Sequence, residues 1–167
     1  MIMHTFVQTA KASSFMPDHI GLFSSALGIF QENILVGGGV KTFRINCKNI
    51  VNEKLVEMKE KDIPNMRFCN THPHNYYLQL LAETGLIGFL FILGFFIKLF
   101  FDYFKQVYYL IKLNKNLSKV YVVILSGLIT YIWPLTTTGS FFNNWICSIL
   151  FLKIGIYLYV TQNELQN

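Results

Sequence analysis

The chain has 167 residues, of which 53% are hydrophobic and 14% are charged, and its formal net charge is +5. Soluble domains usually carry about 25% charged residues, so the composition argues against an ordinary soluble protein. The positive charge forms no basic face interleaved with aromatic residues, which argues against a nucleic-acid partner. Five lysines instead lie in or beside one short loop between two apolar segments, at Lys98, Lys105, Lys112, Lys115 and Lys119. This pattern is typical of a cytoplasmic loop between membrane segments.

The apolar residues are concentrated in the second half of the chain. Residues 1–82 have mixed polarity, whereas residues 83–167 contain apolar segments near 84–104, 120–134 and 145–160. A membrane-spanning helix needs about 20 apolar residues, so the middle segment is short for a span. We predict an all-α integral membrane protein, in which an extramembrane helix and loop precede three transmembrane helices that contact membrane lipids.

Residues 17–31 are predicted to form an amphipathic helix. Pro17 suits a first helical turn, and Asn33 with the glycines after it suits the end. Apolar residues recur at three- and four-residue steps and so share one face, at Ile20, Phe23, Leu27 and Phe30. His19 lies on this helix, where it faces either solvent or a binding site.

The glycines Gly37–Gly39 and the cations Lys41 and Arg44 follow this helix. They predict a flexible turn. The glycine amides and Lys41 could together bind an anion, or the segment could be a plain turn. Arg44 is a candidate phosphate ligand because its planar guanidinium binds two oxygens at once. An ordinary loop arginine is the alternative.

Two cysteines, Cys47 and Cys69, lie in the polar half of the chain. They are expected to form a disulfide if that half faces an oxidising compartment, and otherwise to stay as two thiols. A zinc site formed by Cys69, His72 and His74 is a weaker alternative, because no second ligand pair follows at finger-like spacing. We therefore predict no metal site.

A long helix is predicted to begin at Pro73, with Thr71 or His72 as its cap. It could run to about Phe104, which corresponds to about 48 Å, against a hydrocarbon core of about 30 Å. The first turns of the helix, which carry His74, are therefore expected to emerge at the membrane surface.

The spacing within this helix places His74 above a glycine. His74 and Gly85 are separated by about three turns and would share one face, where Gly85 and Gly88 would let another helix approach closely. Histidine can act as a general base near neutral pH, and Asn75 could orient it. Glu83 would lie on the opposite face, where we expect a structural hydrogen bond.

This segment resembles the signature of the bacterial O-antigen ligases and O-antigen polymerases. The family pattern is a His followed by Asn, Ser or Gln, then nine residues, a Gly, and a second small residue three positions on. His74 and Asn75 are followed at this spacing by Gly85 and Gly88. Glu83, shortly before the first glycine, is also similar to members of the family.

The resemblance covers about residues 15–160, because the amphipathic helix and glycine turn are similar to the family's periplasmic loop. It implies a GT-C-type glycosyltransferase of the bacterial inner membrane, with residues before 83 periplasmic and the carboxy terminus cytoplasmic. The implied donor is an oligosaccharide on undecaprenyl pyrophosphate. The acceptor would be lipid A-core, a growing O-antigen chain or a protein hydroxyl, and no cofactor is implied.

The implied role of His74 is to activate the acceptor hydroxyl or to assist at the pyrophosphate. Arg44, Asn75, Lys41 and His19 are candidate substrate-binding residues around it.

The family has many more spans, most of them before the large periplasmic loop. We therefore expect this chain to be a truncated product or one part of a split protein, inactive without the missing amino-terminal helices or a partner chain. A non-catalytic membrane module that docks against partner helices is the alternative function. A metalloenzyme that uses His72 and His74 is a more distant one.

Overall fold

The structure is a computed structural model that describes residues 17–54, 68–113, 119–135 and 137–166. Within these ranges the chain is mostly helical and contains no strand, which confirms the predicted all-α class. The helices are α1 (Pro17–Glu32), α2 (Phe43–Lys54), α3 (Tyr76–Leu113), α4 (Lys119–Tyr131) and α5 (Asn144–Gln166).

The chain divides into two compact units. The first contains the described residues up to Leu90 together with the connector Pro134–Phe142, and the second contains Phe91–Trp133 and the residues from Asn143 onward. The structural boundary falls inside α3 and does not coincide with the change in composition near Glu83. The early turns of α3 therefore belong to the same unit as the polar region.

Small residues on α1 let α2 pack closely in the first unit. A Cβ atom built on Gly28 would lie 2.7 Å from Cγ2 of Ile50, and the Ser25 hydroxyl donates to the Phe68 carbonyl at 2.6 Å. The core they enclose is apolar and comprises Leu22, Ala26, Ile29, Phe43, Cys47, Ile50, Val51, Phe68 and Ala82.

The predicted apolar face of α1 is not the face that enters this core. The four residues of that face are only half-buried: Ile20, Phe23, Leu27 and Phe30. The buried stripe contains Leu22, Ala26 and Ile29. The sequence pattern followed four large side chains, whereas the buried stripe combines large apolar residues with small ones such as Ala26.

Helix α2 was not predicted, since the segment after the glycines was interpreted as a turn. It begins at Phe43, and a disulfide between Cys47 and Cys69 joins it to the segment before α3, with a Cα–Cα distance of 5.6 Å. The charge-rich composition of residues 52–62 predicts a solvated helix or loop. Of these residues, 52–54 form the end of α2, and the others lie outside the described residues.

Helix α3 begins three residues later than predicted, at Tyr76. His74 has a φ of 58°, in the left-handed region, so neither Pro73 nor His74 is part of the helix. Asn75 caps it, because its Oδ1 accepts the Leu78 N–H at 3.1 Å. The predicted caps Thr71 and His72 were therefore wrong.

Helix α3 is interrupted at Gly85, whose φ of 63° and ψ of −166° are not helical. Such a conformation is essentially restricted to glycine. The prediction that His74 and Gly85 share one face of a continuous helix was wrong, because neither residue has helical dihedrals.

The interruption removes helical hydrogen bonds around Gly85. The loop 34–39 bonds to four of the backbone groups beside the kink, through Gly38 N–H to Ala82 O (2.8 Å), Gly39 N–H to Glu83 O (2.9 Å), Leu86 N–H to Ile34 O (2.8 Å) and Ile87 N–H to Leu35 O (3.2 Å). The kink is therefore a specific junction between α3 and the loop 34–39.

Two helical segments are long and apolar enough to cross a membrane, Tyr76–Tyr109 and Asn144–Gln162. Helix α4 has 13 residues, which corresponds to about 20 Å. In the second unit α4 packs against α5, and the Lys153 ammonium lies 5.5 Å from the ring centroid of Tyr131. Large apolar side chains such as Phe91, 79% exposed, face outward, as expected for a lipid-facing surface.

Candidate functional site

Three histidine rings lie together in the first unit. The ring centroid of His74 is 4.2 Å from that of His72 and 5.8 Å from that of His19. The sequence placed His19 either toward solvent or toward a binding site. In the structure His19 faces His74. We call these three residues the histidine cluster.

The backbone of His74 is held from the connector between α4 and α5. The Thr138 N–H donates to the His74 carbonyl at 2.9 Å, and the Asn75 side-chain amide donates to the Pro134 carbonyl at 3.0 Å. A non-glycine residue at positive φ is uncommon, although histidine is among the more tolerant types. These two bonds support that conformation and place the connector beside the cluster.

The ring of His74 is oriented by Asn70. The Asn70 side-chain nitrogen lies 3.1 Å from His74 Nε2, while the Asn70 oxygen accepts the Thr71 N–H at 2.8 Å. The second bond fixes which end of the amide faces the histidine. The sequence analysis did not identify Asn70. Only its position four residues before His74 could have indicated this contact.

His72 lies in a less polar environment than a surface histidine. Burial lowers its pKa, the neighbouring His74 lowers it further, and the Thr138 backbone acts in the opposite sense. Its Nδ1 lies 2.9 Å from the Thr71 hydroxyl. His72 is therefore neutral at neutral pH and is not merely a helix cap.

Several buried polar atoms around His74 have no hydrogen-bond partner among the residues that the structure describes. They include His19 Nδ1, His72 Nε2 and the Thr138 hydroxyl. Buried polar atoms in folded proteins nearly always have partners. The histidine cluster and Thr138 thus carry polar atoms, on α1, on the segment before α3 and on the connector, that could bind a polar molecule.

Glu83 joins α3 to the beginning of α2. Its carboxylate accepts the Phe43 N–H at 3.0 Å, the Lys41 N–H at 3.0 Å and the Gln79 side-chain amide at 3.2 Å. A carboxylate at a helix amino terminus is favoured by the unpaired amides and by the helix dipole. Glu83 is 1% exposed, and all these contacts are structural ones.

Gln79 extends this network to the connector. Its side-chain amide nitrogen also donates to the Ser140 hydroxyl at 2.9 Å, and its oxygen accepts the Phe141 N–H at 2.8 Å. Glu83 and Gln79 together form a buried polar junction between α2, α3 and the connector. Sequence reasoning missed Gln79, because its partners lie far away in the sequence.

The glycine turn is not an anion-binding nest. Gly37 donates its N–H to the Asn33 carbonyl, and Gly38 and Gly39 donate theirs to α3 carbonyls. The plain turn, one of the two predicted alternatives, is therefore the one observed. Lys41 also has a positive φ of 61°, which its N–H bond to Glu83 supports.

The candidate phosphate ligand Arg44 lies in the first turn of α2 and is exposed. No described residue hydrogen-bonds or pairs with its guanidinium, so it is not tied to the histidine cluster. Asn75, a candidate for orienting His74, instead caps α3 and bonds to the connector.

Within the described residues, Gly85 and Gly88 contact their own chain at short range. Gly85 packs against the backbone of the loop near Gly37. A Cβ atom built on Gly88 would lie 2.5 Å from the Thr84 side chain, so this glycine makes room for a neighbour one turn away. Neither glycine receives another helix in the described parts of the chain.

The zinc alternative that used Cys69 is excluded, because this sulfur is bonded to Cys47. Among the described residues, no group of three or more His, Cys, Asp and Glu side chains has a geometry that could hold a metal ion.

Comparison of the chain with protein-family models, with curated proteins and with solved structures finds no match. The function of the site is therefore argued from its own geometry and from the sequence pattern.

Proposed function

We propose that this chain is part of a GT-C-type membrane glycosyltransferase, similar to the O-antigen ligases and polymerases, with His74 at its active centre. The donor would be an oligosaccharide on undecaprenyl pyrophosphate, and the acceptor lipid A-core or a growing O-antigen chain. The observation that carries this proposal is the histidine cluster, placed directly before the first turn of a helix long enough to cross a membrane.

The location suits a lipid-linked substrate. A sugar carried on a membrane lipid presents its pyrophosphate at the level of the headgroups, where the amino-terminal end of α3 would lie if that helix crosses the bilayer. His74 and His72 then offer nitrogens to phosphate or hydroxyl oxygens. Lys41 and Arg44 are exposed cations on the same unit that would attract the anionic donor.

The connector supports a three-span arrangement. Thr138 is bonded to His74, so the connector lies on the same side of the membrane as the beginning of α3. If α3 crosses the bilayer, the chain must cross back before Pro134, and α4 with its flanking residues is the segment available. Helix α5 then returns to the cytoplasm.

The topology can be tested by labelling single cysteines from outside the cell. Cysteines at Asn49 and at Leu135 should react with a membrane-impermeant maleimide, and one at Lys112 should react only after permeabilisation. Protection of Leu135→Cys in intact cells would rule out the three-span arrangement.

The proposed activity can be tested by the lipopolysaccharide profile of cells that lack their own ligase or polymerase. The cells receive this chain, a version extended upstream from the same locus, and the extended version with His74→Ala or the exposed control Asn49→Ala. We expect the extended wild type and Asn49→Ala to restore the ladder, and His74→Ala to abolish it at equal membrane levels. The rescued host identifies ligase or polymerase activity.

The competing function is a module that docks against partner helices. Restoration by His74→Ala to the wild-type level would favour that function, because a docking surface does not need the imidazole. Failure of every version, with all of them in the membrane, would overturn the transferase proposal.

A further inference from the structure

The hydrogen bond from Asn70 decides which nitrogen of His74 carries the proton. An amide nitrogen can only donate, so Nε2 must be the unprotonated nitrogen that accepts. A neutral ring then carries its proton on Nδ1. The assignment of the amide is itself fixed, because the Asn70 oxygen accepts the backbone N–H of Thr71.

The position of Asn70 is fixed on its amino-terminal side as well. Cys69, its neighbour, is joined by the disulfide to Cys47 of the buried core. On the other side the His74 carbonyl is bonded to Thr138. Asn70, which donates this hydrogen bond, and His74, which accepts it, are therefore both anchored to the first unit. Their bond closes the short loop between them.

The remaining nitrogen of the ring is available to a ligand. His74 Nδ1 has no hydrogen-bond partner among the described residues, and in this tautomer it is a donor. The other titratable groups that face the ring are His72 and His19. No carboxylate among the described residues hydrogen-bonds to His74 and could draw the proton to the opposite nitrogen.

We propose that Asn70 is a positioning residue that holds the proton of His74 on Nδ1, so that His74 donates a hydrogen bond to the pyrophosphate of the donor. This inference rests on the proposed function. It decides between the two roles considered for His74, activation of the acceptor hydroxyl and assistance at the pyrophosphate. A ring whose Nδ1 already carries a proton cannot take the acceptor's proton there, and its Nε2 is occupied by Asn70. His74 thus stabilises the leaving group and is not the base.

In the corresponding step the acceptor oxygen forms a bond to the anomeric carbon of the donor sugar. The bond between that carbon and the pyrophosphate oxygen breaks, and its electron pair leaves with the pyrophosphate. The hydroxyl proton passes to water. The His74 Nδ1–H stays on the ring and strengthens its hydrogen bond as negative charge grows on the leaving oxygen.

The test is a measurement of the His74 tautomer in the full chain, labelled with ¹⁵N-histidine and held in detergent micelles. The chain has four histidines, so replacing each in turn by Gln assigns the signals. For the neutral ring we expect a protonated Nδ1 and an unprotonated Nε2 at His74. A protonated Nε2 in the wild type would overturn the proposal without any variant.

The matched variant is Asn70→Asp. A carboxylate still accepts the Thr71 N–H, but it cannot donate, so we expect the His74 proton to move to Nε2. The control Asn49→Asp adds the same charge at an exposed position of α2 and should leave the tautomer unchanged. An unchanged tautomer in Asn70→Asp would also overturn the proposal.

The activity of the extended protein gives a second readout. Asn70→Asp should lower transfer by roughly 100-fold, the usual effect of losing one donor to developing charge, while Asn49→Asp should not. A switched tautomer with full transfer would overturn the assigned role of His74 and leave the glycosyltransferase proposal standing. Loss of transfer in every version, with the expected tautomer, would instead remove the glycosyltransferase function.

Discussion

The backbones of Gly37 and Gly85 lie in direct contact, so close that a Cβ atom built on Gly85 would come within 2.5 Å of the Gly37 nitrogen. Both glycines have positive φ, 69° and 63°. The turn after α1 and the kink in α3 are therefore one feature. It fixes the early turns of α3, which follow His74, against the α1–α2 core.

We expect Gly85→Ala to destabilise the first unit severely. The alanine would have to keep a conformation that costs about 1–3 kcal/mol for a non-glycine residue, and its methyl group would collide with the loop backbone. Thermal unfolding in detergent, followed by circular dichroism, measures the effect. The control is Gly94→Ala in the same helix, where a Cβ atom meets nothing within 4 Å and where alanine should stabilise the helix slightly. Equal stability of the two variants would contradict the role of the kink.

A second prediction concerns the buried carboxylate of Glu83. In Glu83→Gln one acceptor oxygen is replaced by an NH₂ group that faces donors, so at least one buried N–H loses its partner. The expected loss is about 1–3 kcal/mol of unfolding free energy. Hydrogen exchange locates it, since the amides of Lys41 and Phe43 should exchange faster than in the wild type.

The control for this prediction is Glu32→Gln, which makes the same chemical change at an exposed position at the end of α1. Its exchange pattern near α2 should match the wild type. If Glu83→Gln also leaves the amides of Lys41 and Phe43 protected, the carboxylate is not what holds the beginning of α2.

The helices that the sequence predicts are those marked by a pattern within their own residues. Apolar segments of sufficient length give α3 and α5, and Pro17 followed by an apolar repeat gives α1. Helix α2 does carry an apolar repeat, at Phe43, Cys47 and Ile50. That repeat was missed because its polar composition and the preceding glycines suggested a turn.

Of the candidate site, the sequence predicted the central residue His74 but not the contacts that surround it. His74 stands out through its spacing to Gly85, but the shape around it depends on contacts between distant parts of the chain. The bonds of Thr138 and Asn70 to His74 leave no periodic pattern. The kink at Gly85 was also hidden, because a glycine in an apolar helix is as compatible with close helix packing as with a break.

A third prediction follows from the lowered pKa of His72. Its unfolded pKa is about 6.5, and the folded value lies below that, so between the two values the unfolded state binds more protons. This contribution to stability is complete above about pH 6.5 and is lost as the pH falls through the folded pKa. Thermal unfolding from about pH 8 to about pH 5 should show this decline, and His72→Gln should show a smaller one.

Burial raises the pKa of Glu83, but this carboxylate is present in both proteins, so its titration does not contribute to the difference between them. His74 and His19 face His72 and remain present in both proteins. If the wild type and His72→Gln lose stability in parallel, the decline originates in another group and the burial of His72 has no energetic consequence.

A fourth prediction links the disulfide to the histidine cluster. The bond between Cys47 and Cys69 closes a loop with a sequence separation of 22, which in the chain-entropy model stabilises the fold by about 3 kcal/mol. Cys47→Ser with Cys69→Ser should lower the unfolding free energy by about that amount, whereas Cys147→Ser in α5 should not. Asn70 adjoins Cys69, so the double variant should also release the Asn70–His74 bond. The ¹⁵N spectrum of His74 should then show both tautomers. A single tautomer, together with wild-type stability, would mean that the other contacts of the first unit suffice to hold His74.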